Sequence, residues 1–204
     1  EKIHRNKFKG EFNLLGYDSI DEISFNFDIK DKRSKISNLN FRYQDLNFVS
    51  ESIEIKNENS DLYFIKGDIE NSKALINPNL LFKLANIKQD FISDIDIPIK
   101  SKNFFSFRVS KLKKLENIKI DSIINFDEIY LGKKYKNLIF LKDGTINSKY
   151  ENNQLNADLT SNFVFSNNLK SKNNYKNNKL KLFLKSQNNK NFKINGNISN
   201  KKTL

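Results

Sequence analysis

The chain has 204 residues, enough for one domain or somewhat more, and a formal net charge of +12 from 36 Lys and Arg against 24 Asp and Glu. It has no Cys, which excludes disulfides, thiol catalysis and Cys-built zinc sites, and a single His, which leaves the usual zinc ligand sets without members. Phe occurs 18 times in a chain that is only 37% hydrophobic, so its apolar material is dispersed, and no run approaches the roughly 18 apolar residues of a spanning helix.

Taken in chain order, the main signal is alternation with a period of two. Ile23, Phe25, Phe27 and Ile29 alternate with Ser24, Asn26 and Asp28, and Leu39, Phe41 and Tyr43 repeat the pattern. The segment from Asn77 differs. Asn77-Pro78 reads as an N-cap followed by proline at the first helical position, and Leu80, Leu81, Leu84 and Ile87 fall on one helical face. This predicts one short helix over about 78–86.

Alternation then resumes with Ile95, Ile97 and Ile99, with Phe105, Phe107 and Val109, and with Ile118 and Ile120. A second, weaker helical-turn signal lies near Lys111–Leu115. Asp143-Gly144 has the composition of a two-residue hairpin turn between Leu138–Lys142 and Thr145–Tyr150. Asn152-Asn153, Asn167-Asn168 and Asn188-Asn189 punctuate the later strands, since Asn tolerates left-handed backbone. Leu155, Ala157 and Leu159, the pair Phe163 and Phe165, then Leu180, Leu182 and Leu184, and finally Phe192, Ile194 and Ile198 complete the series, with the Lys- and Asn-rich stretch Lys170–Lys179 reading as a loop.

The fold class implied is all-β: a long, curved antiparallel meander of about a dozen strands, each with one apolar and one polar face, in a single segment 1–204. An apolar-x-Gly-x-apolar step recurs at Phe8-x-Gly10-x-Phe12, Ile65-x-Gly67-x-Ile69 and Ile194-x-Gly196-x-Ile198. Glycine inside a strand usually marks a bend or a close approach.

Candidate chemistry is sparse. His4 stands alone near the start, and no phosphate-binding glycine loop, nucleophile elbow or calcium loop occurs. The carboxylates at Asp18/Asp21/Glu22, Asp94/Asp96 and Asp127/Glu128 read as solvated faces, because acid–base work needs them gathered in a pocket. Asn197-Ile198-Ser199 matches a glycosylation sequon, read as accidental. No enzymatic centre, metal or cofactor is expected.

The positive charge is almost all Lys, with Arg only at Arg5, Arg33, Arg42 and Arg108. Together with abundant Asn, Ile and Phe this follows AT-rich coding, whereas a nucleic-acid surface leans on Arg. The aromatics of Lys102–Arg108 read as inward-facing, so no nucleic-acid partner is expected. What remains is the apolar face, which must either close into a core or bind something. The residues expected to line it as a groove are Phe25, Phe27, Ile65, Gly67, Ile69, Phe105, Phe107, Ile118, Ile120, Leu180, Leu182, Leu184, Ile194 and Ile198.

From Leu39 onward, LNFRYQDLNFVSESIEIKNENSDLYFIKGDIEN, and later IKIDSIINFDEIYL and IFLKDGTINSKYENNQLNADL, resemble the short-strand meander of the AsmA-like superfamily of Gram-negative envelope proteins, which includes YhdP and TamB. The resemblance rests on strand and turn patterns and covers roughly three quarters of the chain. It implies a piece of a larger, repeating β-groove protein, tethered in the inner membrane and facing the periplasm. Phospholipid acyl chains would pass along its apolar groove in outer-membrane biogenesis and maintenance. The chain departs from the family in its richness in Lys and Asn and shows no membrane anchor. The competing readings are a structural or adhesive β-solenoid with a closed core, and a basic nucleic-acid-binding β domain.

Overall fold

A computed structural model describes residues 4–12, 20–43, 46–76, 96–130, 139–165, 178–187 and 191–200. Among the described residues, eleven strands form one sheet in chain order: β1 (His4–Phe12), β2 (Ile20–Lys30), β3 (Arg33–Tyr43), β4 (Leu46–Asn59), β5 (Leu62–Ile76), β6 (Ile97–Ser110), β7 (Leu115–Tyr130), β8 (Ile139–Glu151), β9 (Gln154–Phe165), β10 (Asn178–Gln187) and β11 (Asn191–Asn200). The expected all-β meander is therefore what the chain forms. Pairing is antiparallel from β1 through β5 and from β9 through β11. Among the described residues there is no helix; the helix expected over 78–86 lies outside them, as do Asn167-Asn168 and Asn188-Asn189.

The strands are longer than the spacing of sequence motifs suggested. Ile97, Ile99, Phe105, Phe107 and Val109 share the 14-residue β6, and Leu155 through Phe165 share β9. Asp143-Gly144 is not a hairpin turn but lies inside β8. A type I′ turn needs positive φ at both central residues, and only Asp143 has it, at 50°. The chain instead reverses at Asn152-Asn153, with φ of 52° and 59°. Lys111–Leu115 is not helical either: Lys111 and Leu112 form a reversing turn, closed by Lys113 N–H donating to the Ser110 carbonyl at 2.8 Å, and β7 starts at Leu115. Asn178 and Lys179, read as loop, open β10.

The chain divides into two compact units. The first comprises Glu1–Ser72, Ser101–Ser122 and Lys149–Asn153; the second comprises Lys73–Lys100, Ile123–Ser148 and Gln154–Leu204.

In the first unit, bulges re-aim the pleat. Glu22 and Asn38, both at φ 52°, stand where the β2–β3 register slips, between Asp21 and Ser24 and between Ser24 and Asn26. A bulge adds one residue to one strand and flips the side chains beyond it. The apolar residues follow that flip: Ile20 then Ile23 and Ile36 then Leu39 are each three residues apart, as are the buried Ser50 and the half-buried Ile53 on β4, so the apolar side stays on one face.

In the second unit the register between β9, β10 and β11 runs without a slip. Its buried apolar side chains are Ile97, Ile99, Phe126, Phe140, Leu141, Val164 and Leu180. Gly144 fits this core by its lack of a side chain: a Cβ there would sit 1.9 Å from Cζ of Phe126.

Candidate functional site

The feature with functional potential is the apolar face, built one cross-strand row at a time. In the first unit Phe8 pairs with Phe25, their rings stacked at 5.0 Å. Phe27 pairs with Ile36, Ile36 with Ile53, and Ile53 with Gly67. In the adjoining row Ile29, Ser34, Ile55 and Ile65 pair in turn. Beyond the bulges Phe41 stacks on Phe48 at 5.1 Å. At Gly67 this face leaves no room for a side chain, since a Cβ would meet Cγ1 of Ile53 at 2.9 Å.

The face is not uniformly greasy. Ser50, Asn71 and Ser101 are buried in the first unit. Asn71 Oδ1 accepts from both the N–H and the Oγ–H of Ser101. Asn103 Nδ2 donates to Ser101 Oγ at 3.1 Å and to the Ile69 carbonyl at 3.3 Å. These bonds place Ser101 and Asn103 beside the Ile69–Asn71 stretch of β5, and Phe105 and Phe107, stacked at 5.9 Å, continue their alternation along β6.

In the second unit Leu180, Leu182 and Leu184 pair with Ile198, Gly196 and Ile194 on one side, and with Ser161, Leu159 and Ala157 on the other. Leu180 is buried, whereas Ile194 and Ile198 are more than half exposed. The structure thus gathers Phe25, Phe27, Ile65, Gly67 and Ile69 on one face within the first unit. Within the second it gathers Leu180, Leu182, Leu184, Ile194 and Ile198 on another. Ile118 and Ile120 share one side of β7, with Ile120 exposed.

Coverage of the apolar face is partial. In the first unit Phe8 is 37% and Ile29 39% exposed, and Phe25, Phe27, Ile36, Ile53, Ile55 and Ile65 are half-buried. A side chain sealed in a close-packed core would be nearly inaccessible.

The opposite face of the first unit is ionic. Asp28, Lys35, Glu54 and Lys66 form one cross-strand row of alternating sign, in which Lys66 and Glu54 bridge at 3.0 Å. The next row is Lys30, Arg33, Lys56 and Phe64. These two rows line an open depression of about 510 Å³. Arg108 crosses the Phe64 ring at 5.5 Å to reach Glu58 with two hydrogen bonds, of 2.7 and 3.1 Å. That fork holds the Glu58 carboxyl below its ordinary range and the guanidinium above its own. Lys102 bonds Glu70, which raises the ammonium, and lies 5.3 Å above Phe104.

Phe104 corrects the expectation that the aromatics of Lys102–Arg108 all face inward. It is 45% exposed on the face opposite Phe105 and Phe107. Consecutive phenylalanines in a strand cannot share a face, a signal readable in the sequence. The carboxylates are likewise dispersed: Glu22 bridges Arg42 at 3.1 Å, Glu128 bridges Lys142 at 3.1 Å, and Asp96 and Asp127 are exposed. Asp18 and Asp94 lie outside the described residues. Among the described residues no group of three or more His, Cys, Asp or Glu could hold a metal ion, and no helix is long and apolar enough to cross a membrane.

No family model, no curated protein and no solved structure matches the chain.

Proposed function

We propose that the chain is a non-enzymatic, lipid-carrying β segment of a periplasmic envelope protein. Its apolar face takes phospholipid acyl chains, and its lysine-rich margins face the headgroups. The observation that carries this reading is the partial exposure of large apolar side chains in continuous cross-strand rows, Phe8 and Ile29 among them. Each buried methylene contributes roughly 0.8 kcal/mol, so an acyl chain laid along such rows gains affinity without any polar recognition. The resemblance to AsmA-like proteins supports the same reading and supplies its inner-membrane tether and its place between the two membranes.

The basic-domain alternative is weakened by the ionic face itself. Two of its aromatic rings, Phe64 and Phe104, already carry the cations Arg108 and Lys102, which compete with base stacking. The solenoid alternative requires that the apolar rows be closed.

A photo-crosslinking residue placed at Phe107 or Leu182 should capture phospholipid, and one at Ser106 or Lys181 should not. Phe107→Asp should block capture while leaving a folded protein, whereas in a closed core it would unfold the chain. A stable protein with no crosslinking at any apolar-face position would rule out the groove.

A further inference from the structure

Among the large apolar side chains described as exposed, Leu112 is the most accessible, at 91%, and Leu115 follows three residues later at 54%. Leu112 lies in the β6–β7 connection, where Lys111, Lys113 and Lys114 are also exposed, and Leu115 opens β7 directly after it. This tip is held, not loose. Lys113 N–H donates to the Ser110 carbonyl at 2.8 Å, Ser110 N–H to the Lys114 carbonyl at 3.0 Å, and Lys114 N–H to Ser110 Oγ at 3.2 Å. Lys111 N–H also donates to the Asp61 carbonyl at 3.0 Å, fastening the tip to the β4–β5 turn. The end of β4 is in turn bonded to the β2–β3 turn, Asn57 N–H to the Lys32 carbonyl at 2.8 Å. Three turns thus form one edge of the first unit.

The charge along that edge is lopsided. Residues 30–33, 56–61 and 108–116 hold eight basic and four acidic side chains. Three of the acids are engaged within the edge: Glu58 by Arg108, Asp61 by Lys111 at 3.4 Å, and Glu116 by Lys114 at 3.7 Å. Lys30, Arg33 and Lys56 share one cross-strand row at this edge, so positive side chains are concentrated there. A polyanionic surface complements that concentration.

We infer that this edge docks the protein on an anionic phospholipid bilayer. Leu112, with Leu115 behind it, enters the boundary between headgroups and acyl chains, and the surrounding lysines contact lipid phosphates. Exposed leucines favour a bilayer over nucleic acid, which offers phosphates but no apolar layer at its surface. The inference goes beyond the groove reading and stands if that reading fails.

The test is co-sedimentation of the full chain with vesicles of phosphatidylcholine containing about 30% phosphatidylglycerol, against phosphatidylcholine alone. Binding should require the anionic lipid and weaken in high salt. Leu112→Asp and Lys113→Glu should each reduce it by about tenfold, while Leu75→Asp, at another exposed leucine, should leave it unchanged. Circular dichroism and melting temperatures equal to the parent's would show that the variants fold. Undiminished binding by folded Leu112→Asp, equal binding to neutral vesicles, or binding to duplex DNA without binding to vesicles would each overturn the inference. Crosslinking of monomeric phospholipid from a probe at Phe107 should survive Leu112→Asp. Its absence in a parent that still binds vesicles would sink the groove alone.

Discussion

Among the described glycines, Gly67, Gly144 and Gly196 receive a side chain from the preceding strand, and the atom received sets how much each tolerates substitution. At Gly144 a Cβ would meet the Phe126 ring at 1.9 Å, and that ring is 3% exposed, with nowhere to move. Gly144→Ala should therefore destabilise the protein by about 1–3 kcal/mol. At Gly196 the nearest atom is Cδ2 of Leu182 at 2.6 Å, the free end of a flexible chain on a half-buried residue. Gly196→Ala should cost less than about 1 kcal/mol. Urea denaturation of both variants checks the order, and Phe126→Leu should recover part of the loss in the Gly144→Ala background but none in the Gly196→Ala background. The apolar-x-Gly-x-apolar step showed that Gly67 and Gly196 sit between large residues on one face. It could not show Gly144, whose same-face neighbours two residues away are Lys142 and Ile146 and whose partner lies 18 positions away in sequence.

Among the elements, strands were legible because alternation survives burial on one face only. Their ends were less so. Asp143-Gly144 and Asn152-Asn153 have equally good turn composition, yet only the second reverses the chain. What separates them is the Phe126 ring over Gly144, a tertiary contact that no local pattern carries. Because Asn152 sits at φ 52°, Asn152→Val should cost about 1–2 kcal/mol. Asn152→Gly should stay within about 0.5 kcal/mol of the parent. Thermal melts of the pair test whether this turn has left-handed backbone. The bulges at Glu22 and Asn38 were legible in principle: Ile20–Ile23 and Ile36–Leu39 are three-residue steps inside runs that otherwise step by two. Such a step keeps apolar residues on one face only if the strand carries an extra residue.

For the molecule as a whole, the ion pairs of the ionic face set the pH range of stability. Hydrogen bonds from Arg108 to Glu58 and from Lys119 to Glu151 hold both carboxyls below their ordinary 4.5. Groups depressed in the folded state stabilise it above that value, and the contribution is lost as pH falls through their folded values. Lys102, raised by Glu70, works the other way: its contribution is present below 10.5 and lost as pH rises through its folded value. The urea midpoint should thus be flat from about pH 6 to 9 and fall on the acid side. Glu58→Gln with Glu151→Gln should lower the neutral plateau slightly and make the acid loss shallower. All four partners of these two pairs are solvent-accessible, so the effect should be modest and reduced by salt.

The amino-acid sequence by itself determined the all-β class, the antiparallel meander and the presence of one apolar face per strand, because a period of two is a local property of a half-buried strand. It also put the members of each expected row, such as Leu180, Leu182 and Leu184, on one side of their strand. Only the tertiary structure decided which rows meet, that Ile53 faces Gly67 and Leu182 faces Gly196, since register depends on where bulges fall and turns close. It alone set Phe104 and Phe64 among the cations and drew Ser110–Lys114 into a pinned turn with Leu112 at its tip. Those features come from hydrogen bonds and ring contacts between strands distant in sequence, which composition and periodicity do not encode.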